Sequence, residues 1–530
     1  MHVGIVEGWE DFNQLREAWD AVYEADPEAH VFLSWQWLAD WLTVYRSSWF
    51  ILTAKRDKSA SGYVGFLPMR DHLGFDKMNG FNNEISLAGA QYSDYTGILV
   101  RPEVEAETIR AFAKHVKQEL NWARFTLDGL MMSDRRRRAF LSAFDGPKFR
   151  CAPIDYRMKD GTDNSMCPSI NLPPTWDEYL ATLSANHRQK IRRLMRKVDV
   201  SGECRIELAN AGTYDQNLKV LLDFWKRKWG PSKGKKAASI VTCNYDMLMR
   251  CAENGTLLLP VFFGGNRPVA ALAILIDSCK KSLLFLIGGR DESYTAMPAG
   301  YLLHAYSIRH AIAHGFTHYD FGKGNEAYKY QFGGRDRRLH PVALHTSTGR
   351  NLRGAIDPSW TPAMLEMTLA SEEAGDAADA ELGYRQILEV APDNALALYR
   401  FGRFMAKTEA HSEAKAMLLR SVEIEPEGDN AWLWLARAHQ FLGEYEAALG
   451  ACRKAVFLQS DNQEAKALLL ELSLASKAAS QLPLSVGRPV IGLGESSAPA
   501  PKSFDAVSVL QRLGVADPTK AYSLSKRGKL

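Results

Sequence analysis

The part of the sequence best suited to catalysis closely follows a short predicted strand that contains Asp320. It carries Glu326, Tyr328 and Lys329. Transfer of an acyl group to an amine needs a fixed cation for the oxyanion of the transition state and a base for the amine proton. Lys329 suits the first task, and Glu326 or Asp320 suits the second. The alternative is structural: Lys329 and Glu326 would be a surface ion pair, and Tyr328 a core residue.

A helix predicted from Pro298 to His314 begins just ahead of this stretch, and its first turn holds Ala299 and Gly300. The unpaired N–H groups at a helix N-terminus attract anions, and a glycine there lets a ligand come close to the backbone. The pyrophosphate of coenzyme A, or the phosphate of a carrier protein or of a tRNA end, would fit at this turn. Ordinary helix capping is the alternative.

Two further groups are candidates for contact with a substrate. Asp94 and Tyr95 stand at the start of a predicted strand, where they would either meet the acceptor amine or cap the strand. Arg188 begins a run of six basic side chains on one predicted helix. That run would either hold a phosphorylated substrate or form a solvated face.

The elements that must position these residues follow one order twice. Three strand-like runs come in quick succession before the helix at Pro298, and a further strand follows it. The same order recurs in weaker form nearer the N-terminus. It predicts a duplicated α/β fold, with lobes at residues 1–170 and 171–350. The second lobe is expected to end in a strand near His340–His345.

Two groups in the first lobe are assigned to structure rather than to chemistry. Trp35, Trp37 and Trp41 lie on a helix that Ser34 would cap, and they are expected in the core. Arg135–Arg138 are expected to face solvent at the start of another helix.

The region from 361 to 478 has no strand pattern and is rich in alanine, leucine and glutamate. Pro392 and Pro426 stand 34 residues apart. A 34-residue period of paired helices is typical of tetratricopeptide repeats, which form a concave surface suited to binding partner proteins. The tail, 479–530, is rich in serine, proline and glycine and is expected to be flexible, apart from a short amphipathic segment at Phe504–Leu513.

Composition excludes several classes of protein. The 530 residues carry 65 basic and 62 acidic side chains, and a formal net charge of +3 predicts no nucleic-acid partner apart from the tRNA considered below. Seven cysteines without a CxxC pair and 13 histidines without metal-ligand spacing indicate neither a disulfide framework nor a metal site. The sequence shows no secretory leader and no apolar run of about 20 residues, so a soluble, cytoplasmic protein without a transmembrane segment is expected.

PAGYLL, which begins at Pro298, and the later HYDFGKGNEAYKYQFGG resemble the signature of the CelD-type acyltransferase domain. That domain belongs to the GCN5-related N-acetyltransferase (GNAT) superfamily and is related to the Fem-type peptidyl transferases. FLSWQWLADW near Phe32, SDYTGILV near Asp94 and SANHRQKIRRLMRK near Ser184 resemble other segments of the family. The resemblance covers residues 1–350 and leaves out the repeats.

The resemblance implies two acetyltransferase-like lobes in which Lys329 contacts the transferred acyl group or the donor phosphate. It names no single base, so Glu326, Asp320 and Asp94 stay candidates. Arg290 and the turn at Gly300 are approximate counterparts of the superfamily's phosphate loop, whose usual pattern is not spelled out here. The expected donor-binding residues are therefore Arg290, Ala299, Gly300 and Tyr301, and the expected substrate-binding residues are Tyr95, Arg188 and Tyr328.

The expected activity is N-acyl transfer from a thioester, either acyl-coenzyme A or an acyl carrier protein, to a primary amine, with no permanently bound cofactor. The resemblance points to bacterial cell-envelope or exopolysaccharide pathways, so the expected acceptor is an amino sugar, a sugar nucleotide, an amino lipid or a peptide. A Fem-like transferase that uses aminoacyl-tRNA and a non-catalytic scaffold are the alternatives. For an enzyme, Lys329→Ala is expected to cost about 100-fold in rate. For a scaffold, loss of 361–478 would matter instead.

Overall fold

Two sheets and a series of paired helices make up the part of the chain that the structure describes, residues 1–44 and 48–480 of a computed structural model. The amphipathic segment predicted at Phe504–Leu513 and the rest of the tail beyond 480 lie outside these residues. In chain order, the first elements are β1 (His2–Val6), α1 (Trp9–Gln14), α2 (Arg16–Ala25), α3 (Trp35–Val44), β2 (Phe50–Lys55), β3 (Tyr63–Asp76), β4 (Gly80–Leu87), β5 (Leu99–Val100), α4 (Glu105–Gln118), β6 (Arg124–Leu127), α5 (Asp134–Leu141) and β7 (Phe149–Pro153).

The elements that follow build the second sheet and its helices. They are β8 (Met166–Asn171), α6 (Trp176–Thr182), α7 (Ala185–Ser201), β9 (Cys204–Leu208), α8 (Tyr214–Lys233), α9 (Ala237–Glu253), β10 (Leu257–Leu258), β11 (Pro260–Gly264), β12 (Arg267–Asp277), β13 (Ser282–Arg290), α10 (Ala299–Ala313), β14 (His318–Asp320), α11 (Ala327–Gln331), β15 (Arg335–Arg338) and β16 (Val342–Thr346). Below, the first lobe means the first sheet with α1 to α5, and the second lobe means the second sheet with α6 to α11.

The two sheets have the same strand order and the same strand directions. The first runs β1-β2-β3-β4-β6-β16-β7, and the second runs β9-β11-β12-β13-β14-β8-β15. Along each path the fourth and fifth strands are parallel, and the other neighbours are antiparallel. The duplication predicted from the order of elements is therefore confirmed.

Each half of the chain contributes its last strand to the sheet of the other half. β8 follows β7 along the chain but pairs with β14 and β15 in the second sheet. β16 follows β15 but pairs with β6 and β7 in the first sheet. The strand predicted near His340–His345 thus exists at Val342–Thr346, but it completes the first lobe and not the second. A strand inserted into either sheet can form the backbone hydrogen bonds that it needs. The local sequence therefore does not indicate which of the two sheets the strand joins.

The tryptophans of α3 lie in the core, as predicted. The hydroxyl of Ser34 accepts the backbone N–H of Trp37 at 3.3 Å and so caps the helix. Trp35, Trp37 and Trp41 are all buried. The indole of Trp37 also donates to the hydroxyl of Ser93 at 3.0 Å. Helix α3 therefore fixes the segment that leads into Asp94.

The prediction that Arg135–Arg138 face solvent is wrong for Arg136, which is 1% exposed. Its guanidinium donates to the two carboxylate oxygens of Asp26 at 2.7 and 3.0 Å and to Glu105 at 3.0 Å. An interior charge without partners is strongly unfavourable, so these two carboxylates are what permits the burial. Both come from distant parts of the chain, so a local sequence pattern could not predict this pairing.

The helical repeats start at a constant interval. Helices α12 (Thr361–Ala374), α14 (Ala395–Lys407), α16 (Asp429–Phe441) and α18 (Gln463–Ser480) begin 34 residues apart, as do α13 (Ala377–Val390), α15 (His411–Ile424) and α17 (Tyr445–Leu458). The predicted period is confirmed and extends one helix pair further towards the N-terminus than its clearest sequence markers. Neither these helices nor any other in the described part of the chain is long and apolar enough to cross a membrane.

Gln386 of α13 joins the repeats to the first lobe. Its side-chain oxygen accepts the backbone N–H of Phe81 at 2.6 Å, and its amide donates to the carbonyl of Asn79 at 2.9 Å. Gly80 lies between those two residues at φ +73°, and a Cβ there would collide with the Gln386 amide. The β3–β4 turn therefore leaves room for the Gln386 side chain, whose hydrogen bonds connect the first repeat to this turn.

Candidate functional site

The segments that carry Asp94 and Lys329 meet where the two lobes touch. Asp94 Oδ2, from the first lobe, accepts the backbone N–H of Lys323, from the second lobe, at 3.0 Å. Gly322 makes this approach possible, because it adopts φ +66° and a Cβ there would collide with Asp94 Oδ2. This contact between Asp94–Tyr95 and Asp320–Lys323 is called the seam below. Two segments predicted separately from the sequence are thus brought together.

Asp320 holds the seam through three donors. Its Oδ1 accepts the hydroxyl of Tyr95 at 2.8 Å and the backbone N–H of Gly322 at 2.9 Å, and its Oδ2 accepts from the guanidinium of Arg337. The carboxylate is only 6% exposed. Asp320 therefore acts as a tether between the lobes, and the geometry does not leave it free for its predicted role as a base.

Arg337 is the residue of this network that the sequence did not reveal. It lies in β15, and its guanidinium carbon is 5.5 Å from the centre of the Tyr95 ring. The neighbouring Asp320 raises its pKa further above the ordinary arginine value. The charged run Arg335–Arg338 resembles an ordinary exposed strand, and only the pairing of β15 with β8 places Arg337 against the first lobe.

Lys329 is buried, and its ammonium group is fully engaged. It is 1% exposed and donates to the carbonyls of Lys323 at 2.6 Å and Gly324 at 3.0 Å. Glu326 completes the set at 2.9 Å. Three acceptors match the three protons of an ammonium group, so the predicted contact with an acyl group would require one of these bonds to break. The geometry makes Lys329 the residue that shapes the loop after β14.

Tyr328 belongs to an aromatic cluster around His304. The two rings lie 5.3 Å apart, and those of Phe285 and Phe321 lie 4.7 and 5.3 Å from His304. Burial, assisted by the nearby Lys329, lowers the pKa of His304 to about 3, so this imidazole is neutral at physiological pH. Of the two expectations for Tyr328, core packing matches these contacts, and substrate contact stays a prediction.

Asp94 is the carboxyl group of the seam whose environment suits proton transfer. Burial raises its pKa above the ordinary aspartate value, against the lowering effect of Lys323. A carboxylate with a raised pKa accepts a proton more readily near neutral pH. The side chain of Glu326 is 44% exposed but is already paired with Lys329. Asp94 is therefore the better-placed candidate base.

The first turn of α10 has the features of an anion site. It carries no side-chain cap and no acidic residue. A Cβ at Gly300 would meet no atom within 4 Å, so the space beside this turn is open. Lys190 Nζ, from α7, lies 4.1 Å from the centre of the Tyr301 ring in the same turn. A helix N-terminus and a cation therefore lie at one end of the second lobe, where both would attract a phosphate.

β13 leads directly into that turn and separates from its neighbour before reaching it. Ser282–Leu284 pair with β14, whereas the rest of β13, up to Arg290, pairs only with β12 among the described strands. The pairing with β12 skips Leu286, which is the extra residue of a β-bulge. One edge of β13 is thus free of a strand partner between Phe285 and the loop to α10.

Arg290 and Arg188 lie outside the seam network. Arg290 ends β13, and its guanidinium donates to Glu292 at 2.6 Å. Arg188 lies half-buried near the start of α7, two residues before Lys190. The remaining basic residues of α7, namely Arg192, Arg193, Arg196 and Lys197, are exposed. The binding roles predicted for Arg290 and Arg188 stay predictions.

The matching helix start in the first lobe is filled by the protein itself. Helix α4 stands between the fourth and fifth strands of its sheet, as α10 does in the second lobe. It begins with Glu105, which is 5% exposed and bound to Arg136, and its first turn also holds Glu107. A protein carboxylate there interacts favourably with the helix dipole and would repel an anion. Of the two equivalent turns, only that of α10 is open.

Metal chemistry has no ligand set in the described residues, 1–44 and 48–480. No group of three or more histidine, cysteine, aspartate or glutamate side chains there could hold a metal ion.

Residues 185–330 match the family model described as Acetyltransferase (GNAT) domain. The chain contains a GNAT-type acetyltransferase domain. The match covers α7 through most of α11, including the open turn of α10 and the loop of Lys329. It supports an acyltransferase-type role for the second lobe. No curated protein sequence matches the chain.

Several solved structures are similar to parts of the chain. The crystal structure of FemX is 11% identical, covers 65% of this chain and 97% of its own, and gives a TM-score of 0.46. The TPR domain of Sgt2 from Aspergillus fumigatus is 18% identical, covers 27% of this chain and 93% of its own, and gives a TM-score of 0.23. The first TPR of Spaghetti (RPAP3), bound to an HSP90 peptide, is 17% identical, covers 23% and 97%, and gives 0.23. Identities this low say nothing about what the chain binds.

Proposed function

We propose that the chain is an N-acyltransferase whose second lobe binds an acyl thioester and transfers the acyl group to a primary amine near the seam. The observation that carries the proposal is the open first turn of α10 beside Lys190, within the region that matches the acetyltransferase family. Acyl-coenzyme A is the preferred donor, because its pyrophosphate suits a helix N-terminus flanked by a cation. An acyl carrier protein offers one phosphate and is the weaker fit.

In the proposed reaction the amine nitrogen attacks the thioester carbonyl, the carbon–sulfur bond breaks, and an amide and a thiol form. The thiolate leaving group takes up one proton, and Asp94 receives the proton that the attacking ammonium group must lose before or during attack. Backbone N–H groups on the free edge of β13 would stabilise the oxyanion. Lys329 contributes by holding the loop through the carbonyls of Lys323 and Gly324.

The acceptor is proposed to be an amine of cell-envelope or exopolysaccharide biosynthesis, with partner proteins bound through the repeats. A second candidate function is aminoacyl transfer from tRNA. The exposed basic face of α7 favours it, because Arg192, Arg193 and Arg196 lie on the helix whose Lys190 reaches the α10 turn. Both candidates place the acyl or aminoacyl donor in the second lobe.

The decisive experiment incubates the full chain with labelled acetyl-coenzyme A, long-chain acyl-coenzyme A, acyl carrier protein or aminoacyl-tRNA, together with a panel of amines. Transfer from a coenzyme A thioester supports the proposal, whereas transfer from aminoacyl-tRNA alone would replace it with the second candidate. No transfer from any donor, combined with partner capture that depends on 361–478, would make the chain a scaffold.

Asp94→Asn tests the base. We expect kcat to fall about 100-fold, the usual scale for a general base, because the amide cannot accept the amine proton. Activity of the wild type should fall as the pH drops through the raised pKa of Asp94, since the protonated carboxyl is inactive. Asp199→Asn, at an exposed position of α7, is the matched control and should change neither. An unchanged kcat in Asp94→Asn would remove this residue from the mechanism.

A further inference from the structure

A cavity of about 450 Å³ opens between the lobes, away from the α10 turn. It lies between α2 and α3 of the first lobe and the turn that joins β12 to β13 in the second. Its floor is apolar, because Val31, Trp37, Cys251 and Leu275 line it and are buried. Pockets for small molecules usually have volumes of about 300–1,000 Å³, so the cavity has the size to hold one.

The charged groups around this cavity are mostly acidic. Four carboxyl groups line it, against the single guanidinium of Arg16. Two of the four have partners, since Asp40 accepts from Asn254 at 2.8 Å and lies 3.6 Å from Arg250, and Asp277 accepts the hydroxyl of Tyr23. The other two, Asp20 and Glu24, are exposed on α2.

Arg16 does not neutralise the mouth of the cavity. Its nearest approach to Asp20 is 4.0 Å, at the limit of an ion pair, and its guanidinium lies 4.6 Å above the ring of Trp35. Lys280 is a second cation nearby, but its ammonium donates to the backbone carbonyls of Glu24 at 3.1 Å and Asp26 at 2.7 Å. The carboxylates of Asp20 and Glu24 therefore leave the mouth with negative charge.

We infer that this cavity binds a small organic cation, with its apolar body against Trp37 and Leu275 and its ammonium group between Asp20 and Glu24. An ammonium group would gain charge-assisted hydrogen bonds there, whereas a phosphorylated or carboxylate ligand would face repulsion. The cavity and the α10 turn thus select opposite charges. This inference concerns binding alone and does not depend on acyl transfer.

Three probes with the same apolar body test the inference on the full chain by ligand-observed NMR and calorimetry. They are 2-phenylethylamine, neutral 2-phenylethanol and anionic 3-phenylpropionate. We expect the amine to bind about tenfold more tightly than the alcohol, the scale of one charge-assisted hydrogen bond, and the carboxylate to bind more weakly than both. Equal affinities, or no binding of the amine at millimolar concentration, would overturn the proposal.

Variants locate the binding. Asp20→Asn and Glu24→Gln should each remove a several-fold part of the preference for the amine without affecting the fold, because both side chains are exposed. Ala21→Phe, at an exposed lining position of the same helix, should fill the cavity and weaken all probes. Glu17→Gln, which is on α2 but outside the lining, is the control. Binding that survives Ala21→Phe and Asp20→Asn would place the amine elsewhere and refute the assignment.

Discussion

The first turns of α4 and α10 occupy the same place in two copies of one fold, but they have opposite electrostatic character. In the first lobe, Glu105 stands at the helix start, and Arg136 and Asp26 complete a buried ion network around it. In the second lobe, the turn at Gly300 has no acidic residue and no cap, and Lys190 lies beside it. In the first lobe a protein carboxylate interacts with the helix dipole, whereas in the second lobe the helix N-terminus stays open to a ligand.

This difference suggests that the two lobes have different roles in the site. In the first lobe the matching turn of α4 holds Glu105 and is not open to a phosphate, but this lobe supplies Asp94 and Tyr95 to the seam. The second lobe supplies the open turn and the loop that meets those residues. A site built this way needs both copies, although only one of them is proposed to bind the donor.

The largest expected effect concerns the exchanged strands. If each sheet needs a strand from the other half of the chain, fragments 1–172 and 173–356 should not fold when produced separately, because the first would lack β16 and the second would lack β8, each of which pairs on both sides in its sheet. We expect no cooperative unfolding and poor NMR dispersion for either fragment, and a folded product when both are expressed together. A folded fragment 1–172 would show that β16 is dispensable and that the lobes are independent copies. Residues 1–356 in one chain are the control.

Arg136→Met tests whether the filled turn of the first lobe is structural. The change leaves Asp26 buried without its cation and leaves Glu105 with the exposed Arg135 alone, so we expect a loss of about 3–5 kcal/mol in the free energy of unfolding, measured by urea denaturation. Arg138→Met, on the exposed side of the same helix, should cost less than about 0.5 kcal/mol. Equal losses in the two variants would mean that the buried network does not stabilise the first lobe.

The sequence predicted the order of elements well, because amphipathic periodicity, caps and turn residues are local. The repeats, the helix at Pro298 and the capping of α3 by Ser34 all follow from spacing within one segment. The strand exchange, the burial of Arg136 and the tether from Arg337 to Asp320 depend on residues more than ten positions apart. The sequence singled out Lys329 as a functional candidate. It could not predict where the ammonium group of Lys329 points, because that depends on its hydrogen bonds to the carbonyls of Lys323 and Gly324.

Gly300→Asp would give the second lobe the acidic character of the first. The substitution is sterically free, and an acidic residue in the first turn of a helix is stabilising, so Tm should stay the same or rise. If the donor phosphate binds this turn, KM for acyl-coenzyme A should rise about 100-fold through like-charge repulsion. Gly300→Ala is the matched neutral control and should keep KM within a few-fold. An unchanged KM in Gly300→Asp would place the phosphate elsewhere.

The smallest expected effect tests a feature in which the lobes should agree. Burial lowers the pKa of His30 in the first lobe and of His304 in the second to about 3. Since the unfolded value is about 6.5, the unfolded chain binds a proton that the folded chain does not between those pH values, and stability is lost as the pH falls through that window. Each histidine should contribute a slope of up to about 1.4 kcal/mol per pH unit.

Replacing either histidine by glutamine should reduce the pH dependence of the free energy of unfolding between pH 7 and pH 5 by a similar amount, whereas His314→Gln, at an exposed position, should leave it unchanged. Similar slopes would show that the lobes share the electrostatics of a buried core and differ where a ligand is proposed. If His304→Gln alone flattened the curve, the contrast between the lobes would extend into their interiors, and the open α10 turn would be one of several differences rather than the functional one.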